Sequence, residues 1–345
     1  MELIYDNTLN DLEEYLIKLG LKPFRAKQIF KWLYEKRVDS FDQMSDISKD
    51  LKEQLNKDFF ISSFKVVRKQ ESKDGTVKFL FELSDGALIE SVLMVFDYGN
   101  SACLSSEVGC NMGCSFCASG LLKKQRNLTA GEIVLQALTI QKYLDKDNKR
   151  LDNIVVMGTG EPFDNYDNLM KGLSIINSPY GLEIGARHIS ISTCGLVPMI
   201  KKFADEKTQY NLAVSLHAAN DELRNKLMPI NKAYNLTSLF DAIDYYESKS
   251  NRRITFEYLL IQGVNSSEKD ADDLKKLLKG RNAYLNLIPY NEVKENDYKS
   301  TTPKETLTFY DYLKKRGLSV TLRQKRGTDI DAACGQLRAK EILND

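Results

Sequence analysis

Residues 108–117 read Val-Gly-Cys110-Asn-Met-Gly-Cys114-Ser-Phe-Cys117, which spaces three cysteines as Cys-x3-Cys-x2-Cys. Protein-bound [4Fe–4S] clusters usually take four cysteine ligands, so a loop that offers three leaves one iron open. Closed metal sites are structural, whereas sites with an open position carry out chemistry. The spacing therefore predicts a [4Fe–4S] cluster held by Cys110, Cys114 and Cys117, with one iron free to bind a further ligand.

A structural zinc site and three unrelated buried thiols are the alternative interpretations of this loop. Zinc would need a fourth ligand, but the only histidines, His188 and His217, are far away in the sequence, and no second Cys-x2-Cys occurs. A chance grouping of three unrelated thiols is a poor explanation, because three of the six cysteines fall within this one loop. Gly109 and Gly113 also suit a loop that wraps closely around an inorganic core.

The same loop resembles the signature of the radical S-adenosylmethionine (SAM) enzymes. In that family, the amino and carboxylate groups of the methionine part of SAM chelate the open iron. The resemblance implies that SAM is a cofactor of this chain.

Length and composition indicate a globular enzyme without a membrane span. A chain of 345 residues is long enough for one large domain and a small one. No apolar run approaches the roughly 18–20 residues of a membrane span. The first residues lack the basic and apolar regions of a signal peptide, and six cysteines do not suggest a disulfide scaffold. We expect a cytoplasmic, monomeric protein.

The net charge of +1 does not indicate a nucleic-acid partner, but three local basic clusters could bind phosphates. The first is interleaved with Phe24, Phe30, Trp32 and Tyr34. Each cluster could equally be a solvated face of a helix or loop. The clusters are Lys22, Arg25, Lys27, Lys31, Lys36 and Arg37; Lys123, Lys124 and Arg126; and Arg323, Lys325 and Arg326.

The sequence patterns predict three domains. Residues 1–60 are expected to be a helical accessory domain that binds RNA, with helices beginning after Thr8, near residue 24 and near Ser48. Residues 61–100 should form a β-hairpin extension, because Ser84-Asp-Gly86 separates two apolar, partly alternating runs. Residues 101–345 should form the catalytic core.

Strand and helix patterns alternate through this core, which is typical of an α/β fold with a parallel sheet. Periodicity alone allows either an open doubly wound sheet or a barrel. The radical SAM resemblance implies a partial (β/α)6 barrel. The expected strands are 103–108, 153–157, 188–192, 211–216, 253–261, 284–289 and 318–323.

Polar residues follow four of these strands, where ligands bind in parallel α/β folds. Gly160 and Glu161 lie in the turn Met157-Gly-Thr-Gly-Glu-Pro162, which resembles the radical SAM motif that holds the methionine amine. For any single one of the other strand ends, an ordinary helix cap or turn residue is the favoured explanation. We expect SAM contacts from Gly160, Glu161, Ser192, Ser215, Leu216, His217 and Asn291.

Two further cysteines and a glutamate stand apart from the cluster loop. Cys334 lies in Asp329-Ile-Asp-Ala-Ala-Cys-Gly-Gln-Leu337, and Cys103 precedes Cys110 by seven residues. Either could be a buried structural thiol. Glu90 lies inside an apolar strand pattern, where it could be a catalytic carboxylate or simply a solvent-facing residue.

The Cys334 segment, the cluster loop, Gly158-Thr-Gly-Glu-Pro162 and Ser215-Leu-His217 together resemble the RlmN/Cfr family of radical SAM RNA methyltransferases. The resemblance spans essentially the whole chain. Pro162 after Gly-Glu is typical of the RlmN branch, whereas Cfr tends to have Ala. Thr159 and Cys194 depart from the pattern, which has Met and Ser there.

The resemblance implies a methyl group carried by Cys334, two SAM molecules per turnover, and a transient Cys103–Cys334 disulfide that cellular thiols reduce. Glu90 or Cys103 would accept the proton from adenine C2. The implied targets are an adenosine in the peptidyl-transferase region of 23S rRNA and the adenosine 3′ of the tRNA anticodon. A one-electron donor such as flavodoxin or ferredoxin is implied.

Three other functions remain possible at this point. A Cfr-type enzyme would methylate C8 of the same rRNA adenosine. Radical SAM activases and sulfur-inserting enzymes often carry further cluster cysteines, and this chain has few to spare. A non-catalytic Fe–S protein that binds RNA would not need Cys334 or the polar strand ends.

Overall fold

A computed structural model describes residues 1–293 and 295–337. The last eight residues of the expected catalytic core, 338–345, lie outside this description. The helices are α1 Leu9–Lys18, α2 Arg25–Phe30, α3 Lys49–Asp58, α4 Ala130–Asp145, α5 Tyr166–Asn177, α6 Val197–Asp205, α7 Asp221–Leu227, α8 Leu236–Lys249, α9 Glu268–Leu278 and α10 Pro303–Lys315. The strands are β1 Glu2–Leu3, β2 Phe59–Phe60, β3 Lys65–Glu71, β4 Val77–Glu82, β5 Leu88–Phe96, β6 Gly99–Leu104, β7 Glu107–Val108, β8 Arg126–Asn127, β9 Leu151–Val156, β10 Ile189–Thr193, β11 Asn211–Ser215, β12 Ile254–Leu260, β13 Ala283–Pro289 and β14 Val320–Leu322.

The three expected N-terminal helices are present as α1–α3. Thr8 and Asp11 form a reciprocal capping box at the start of α1, which satisfies two backbone N–H groups that the helix leaves unpaired. The segment is not purely helical, however, because β1 and β2 pair in parallel. Strands of two residues carry no readable periodicity, so the sequence pattern could not predict this pair.

The N-terminal segment packs directly on the core rather than standing apart from it. The Gly131 N–H at the start of α4 donates to the Asp6 carboxylate at 2.6 Å. A Cβ on Gly131 would lie 2.8 Å from the Leu3 side chain, so only glycine permits this approach. Ile4 and Tyr5 are buried in the same apolar core as α4.

One large mixed sheet organises the rest of the chain, in the order β14-β13-β12-β11-β10-β9-β6-β5-β4-β3. The strands β6 and β9–β14 are parallel, and β3–β6 form an antiparallel meander. The predicted β4–β5 hairpin is confirmed. It continues the main sheet, since β5 pairs with β6.

Six β/α units follow one another from β6 to α10, with β14 added at the end. Inward side chains from β5, β6 and β9–β14 line one common cavity, which shows that the sheet curves around it. The helices α4, α5, α6, α8, α9 and α10 bury their apolar faces in a continuous core. The partial (β/α)6 barrel is thereby confirmed. No helix among the described residues is long and apolar enough to cross a bilayer.

A buried glutamine fixes the first strand end of the barrel. The Gln136 side chain on α4 accepts from the Ser105 N–H at 2.8 Å and donates to the Ser105 carbonyl at 3.0 Å. The Ser105 hydroxyl in turn accepts from the Thr159 N–H at 2.9 Å. Buried polar groups need such partners, so this network joins the ends of β6 and β9 directly below the cluster loop.

Candidate active site

The cysteine loop connects β7 to β8 and is held by backbone hydrogen bonds. The Cys110 N–H donates to the Leu122 carbonyl at 3.0 Å, and the Ser115 N–H donates to the Leu227 carbonyl at 3.0 Å. Gly109 has a φ of +79°, and a Cβ there would clash with the Lys123 carbonyl. Only glycine fits this left-handed turn.

All three thiols of the loop line one cavity, which we call the cluster cavity. Most of the polar strand ends that the sequence singled out converge on it. Parallel strands present their carboxyl ends on one edge, which explains this convergence. The expected residues that line the cluster cavity are Cys110, Cys114, Cys117, Gly160, Glu161, Ser192, Ser215, His217 and Cys334.

Three cysteines line the cluster cavity, the number of protein ligands that a [4Fe–4S] cluster with one open iron requires. Across residues 1–293 and 295–337, no three His, Cys, Asp or Glu side chains are arranged to hold a single metal ion. A cubane distributes its ligands over separate irons, so its thiolates need not converge on one point. Three thiols facing one cavity suit that requirement.

Glu161 is buried, and main-chain donors hold its carboxylate. Its Oε2 accepts from the Cys194 N–H at 2.8 Å, and its Oε1 accepts from the Phe163 N–H at 3.0 Å. Burial raises the pKa of Glu161 above its ordinary value, and these hydrogen bonds oppose the shift. The orientation of this carboxylate is thus fixed before any ligand arrives.

His217 lies against the cluster loop in space, although it is distant in sequence. Its ring packs edge-on to Phe116 at 4.9 Å. The Nδ1 atom accepts from the Leu259 N–H at 3.1 Å, and burial lowers the pKa of His217 to about 3. The imidazole is therefore neutral with its donor on Nε2. His217 also has a φ of +57°, a conformation that non-glycine residues adopt mainly where local structure enforces it.

Leu216 was expected to contact SAM, but its side chain does not line the cluster cavity. It is fully buried, and its carbonyl accepts from Arg224 Nε at 3.2 Å. Arg224, also fully buried, binds the carbonyls of Cys194 and Ser215 as well, at 2.8 and 3.0 Å. This arginine locks the ends of β10 and β11. The sequence analysis did not identify it, because one arginine in a short amphipathic helix gives no local signal.

A second cavity of about 630 Å³ occupies the barrel interior, and we call it the barrel cavity. Both Cys103 and Cys334 line it. The two cavities meet at a shared wall that includes Cys334. The residues common to both cavities are Met157, Glu257, Ile288, Cys334 and Leu337.

The segment that carries Cys334 is tied to the cluster loop. The Ala118 N–H donates to the Gly335 carbonyl at 2.8 Å, and the Ser119 hydroxyl donates to the Leu337 carbonyl at 2.8 Å. Contacts between the two segments place Cys334 beside the cluster thiols. Nothing in local sequence could have specified this proximity.

Asn291 lies in the barrel cavity and contacts the Cys334 segment. Its Nδ2 donates to the Cys334 carbonyl at 3.2 Å. Its Oδ1 is buried without a hydrogen-bond partner among the described residues. Buried acceptors are normally satisfied, so this oxygen is suited to a donor on a bound ligand.

Arg323 and Glu257 surround Cys334, and the sequence analysis gave neither a role at the active site. The Arg323 Nη1 atom lies 3.9 Å from Cys334 Sγ and 3.9 Å from Glu257 Oε1. Burial raises the pKa of the Cys334 thiol, and the nearby guanidinium opposes that shift. Burial, together with the charge of Cys334, raises the pKa of Cys103 to about 12. Arg323 thus offsets part of the effect of burial, although the pKa of Cys334 stays above its ordinary value.

Glu90 is buried, so the alternative expectation that it simply faces solvent is wrong. Its carboxylate forms an ion pair with Lys78 Nζ at 3.2 Å. It lines a small separate cavity beside Ile330 and Asp331 and does not line the barrel cavity. Lys78 also donates to the Asp331 carbonyl at 3.2 Å. Glu90 therefore helps to anchor the segment that leads to Cys334.

The three basic clusters have different environments. In the first, Phe30 and Tyr34 are core residues, whereas Phe24 is exposed. In the second, Lys124 pairs with Glu107 and Asp164, and Arg126 pairs with Asp85 and Glu132. The third cluster lines the barrel cavity. The second cluster is thus largely structural.

Comparisons with known proteins extend these observations over the whole chain. Residues 3–61 match the ribosomal RNA large subunit methyltransferase N-terminal domain, and residues 105–278 match the radical SAM superfamily. The chain is 54% identical over 338 residues to the probable dual-specificity RNA methyltransferase RlmN of Staphylococcus aureus strains JH9 and Newman. The match covers 98% of this chain and 93% of those proteins. The crystal structure of a radical SAM methyltransferase from Sphaerobacter thermophilus is 42% identical, with a TM-score of 0.94, and the match covers 98% of this chain and 100% of that one.

Proposed function

Because this chain belongs to the RlmN family of radical SAM RNA methyltransferases, we propose that it methylates C2 of adenosine in two RNAs. The targets are an adenosine in the peptidyl-transferase region of 23S rRNA and the adenosine 3′ of the tRNA anticodon. One observation carries the proposal: Cys334 lies on the wall between the cluster cavity and the barrel cavity. A methyl group on its sulfur could be activated on one side and delivered to RNA on the other.

The residues of the cluster cavity would hold both cofactors of the family. Cys110, Cys114 and Cys117 would bind the [4Fe–4S] cluster. SAM would lie between Gly160–Glu161 and the ends of β10 and β11, with Glu161 accepting from its ammonium group. The buried, fixed carboxylate of Glu161 supports this role.

Cys334 would first take a methyl group from one SAM by displacement at the sulfonium carbon, releasing S-adenosylhomocysteine. Thiolates are the reactive form of cysteine, and the neighbouring Arg323 supports that form here. When bound, the cluster would supply the electron that cleaves a second SAM to methionine and a 5′-deoxyadenosyl radical. The methyl group on Cys334 would then lose one hydrogen atom and add to C2 as a methylene radical.

Release of the product would need a second thiolate. When bound, the oxidised cluster would take back one electron from the adduct, and a base would remove the C2 proton. The Cys103 thiolate would then attack the Cys334 sulfur and break its bond to the methylene carbon. That carbon would take up a proton to become the new methyl group. Thiols in the cell would reduce the Cys103–Cys334 disulfide. Cys103 is better placed than Glu90 to remove the C2 proton, since only Cys103 lines the barrel cavity.

The identity of the methylated nucleoside tests which carbon of adenine receives the methyl group. We expect rRNA and tRNA from cells that express the protein to contain 2-methyladenosine, measured by nuclease digestion and mass spectrometry. The Cys334→Ala protein, expressed equally, should give none. Dominant 8-methyladenosine would instead place the activity with Cfr, and unmethylated RNA would contradict the proposed reaction. The electron donor, the monomeric state and the cytoplasmic location stay predictions.

The first basic cluster is proposed to bind RNA away from the reaction. Lys27 and Lys31 are exposed on α2 and the turn that follows it. Replacing both by Glu should weaken RNA binding and reduce the slope of log Kd against log salt by about 0.7 for each lost phosphate contact. SAM cleavage without RNA should stay unchanged.

A matched double replacement separates this effect from net charge. Lys269 and Lys276 are each 79% exposed on α9, so Lys269→Glu with Lys276→Glu makes the same change in charge elsewhere. Equal loss of affinity in both double variants would contradict a binding role for α2. Deletion of residues 1–60 is a poorer test, because Ile4 and Tyr5 belong to the common core.

A further inference from the structure

The turn between β5 and β6 carries a stacked aromatic pair at the edge of the barrel cavity. The rings of Phe96 and Tyr98 lie 4.8 Å apart and are inclined by only 8°. The guanidinium of Arg326 lies 4.9 Å from the centre of the Phe96 ring. Tyr98 is nevertheless 74% exposed, although an aromatic ring gains most by burial. We call these three side chains the aromatic stack.

The aromatic stack lies at the opposite end of the barrel from the cluster. Tyr98 immediately precedes the first residue of β6, and the cavity wall at that end also includes Asn211, the first residue of β11. Cys334 and Met157 lie at the carboxyl ends of the strands, where the two cavities meet. The barrel cavity therefore runs along the barrel axis, from the aromatic stack to the two cysteines.

Positive charge follows the barrel cavity from the aromatic stack to the cysteines. Arg326 belongs to the aromatic stack, whereas Arg323 lies 3.9 Å from Cys334 Sγ and Lys325 donates to the Tyr290 carbonyl at 3.0 Å, both toward the carboxyl ends of the strands. Asp97 is an opposing carboxylate beside the stack. Arg326 donates to the Asp74 carbonyl at 3.1 Å and makes no ion pair within the part of the chain that the structure describes. A stacked arginine and exposed aromatic rings are the features by which proteins hold unpaired bases of RNA.

We propose that the aromatic stack binds a nucleobase of single-stranded RNA that flanks the target adenosine, so that the RNA enters through this end of the barrel. This proposal rests on the proposed function. The bound base cannot be the target itself, because the five residues from Tyr98 to Cys103 span roughly 16 Å of strand. The target adenine reaches the two cysteines while a neighbouring base stacks on Tyr98.

The test uses reconstituted enzyme without SAM and stem-loop RNAs that contain the target adenosine in the loop. The fluorescent base 2-aminopurine, which is quenched by stacking, replaces each of the three nucleotides on either side of the target in turn. Tyr98→Leu should abolish the quenching at the stacked position and weaken Kd by about 5- to 100-fold, as expected for loss of one base–aromatic stack. Tyr98→Phe should retain both signals.

Two controls keep the result specific. Tyr310→Leu makes the same replacement on α10, where Lys314 lies 5.5 Å from the ring, and it should leave Kd unchanged. Iron content should match wild type in every variant, which excludes misfolding. At saturating RNA, kcat of Tyr98→Leu should stay near wild type while KM for RNA rises.

The outcomes distinguish this proposal from the proposed function. If wild type methylates the stem-loop but Tyr98→Leu binds it normally, or if no flanking 2-aminopurine is quenched, the aromatic stack has no role in RNA binding. If wild type neither binds nor methylates any of the RNAs, the proposed function fails and the aromatic stack proposal with it. A protein partner in place of RNA would show as this second result.

Discussion

The Cys103→Ala protein, expressed in cells, should purify with RNA covalently attached through Cys334. Cys334 can still be methylated and can still add to adenine in this variant, but no second thiolate is present to break the bond between sulfur and methylene. Multiple turnover should fall to the detection limit. The attached RNA should be visible as nucleotide absorbance that nuclease treatment removes, leaving a mass adduct on the peptide that contains Cys334.

The geometry of the barrel cavity supports this expectation. Cys103 and Cys334 both line the barrel cavity, and a disulfide between them requires their Cα atoms to come within roughly 4.4–6.8 Å of each other. Cys194 lines only the cluster cavity.

The double variant Cys103→Ala/Cys334→Ala is the control for the covalent link. It should purify without RNA, because the carrier is missing. If Cys103→Ala turns over normally and carries no RNA, Cys103 is a structural thiol and another group releases the product.

Replacing any one of Cys110, Cys114 or Cys117 by Ala should remove the cluster. We expect iron to fall from about four atoms per chain to near zero, with loss of the brown absorbance. Formation of 5′-deoxyadenosine from SAM and dithionite should be undetectable. The reason is that only two cysteine ligands would remain, so two of the four irons would lack a protein thiolate.

Cys194→Ser is the matched control for these replacements. Cys194 is buried in the wall of the same cavity, and its main-chain N–H and carbonyl contact Glu161 and Arg224. Its thiol also hydrogen-bonds Glu161, a contact that a serine hydroxyl can retain. Iron content and SAM cleavage should therefore stay at wild-type levels. Full iron content in Cys114→Ala would contradict the assignment of the cluster ligands.

Local patterns predicted most of the secondary structure correctly. The helix start after Thr8, the turn at Ser84–Gly86 and the alternation of strands with helices each depend on residues close together in the chain. The short pair of β1 and β2 and the strand β3 were missed. β1 and β2 are too short, and β3 is too polar, to show an apolar period of two.

The cluster loop was readable because its three cysteines lie within one loop. The polar ends of the strands were readable for a related reason, since parallel strands bring their carboxyl ends to one edge whatever the details of packing. Leu216 and Asn291 were the exceptions. The Leu216 side chain is buried and only its main chain contributes, through Arg224, whereas Asn291 lines the barrel cavity and not the cluster cavity.

The sequence by itself determined the three-thiol cluster loop, the β/α alternation and the set of polar strand ends, because each is encoded within a short segment. Only the tertiary structure decided that Cys334 lies between two cavities, that Arg323 and Glu257 surround it, and that Glu90 pairs with Lys78 outside the barrel cavity. These neighbours come from strands and loops distant in the chain. Their proximity depends on how the sheet curves and how the C-terminal segment packs, and local periodicity carries no information about either.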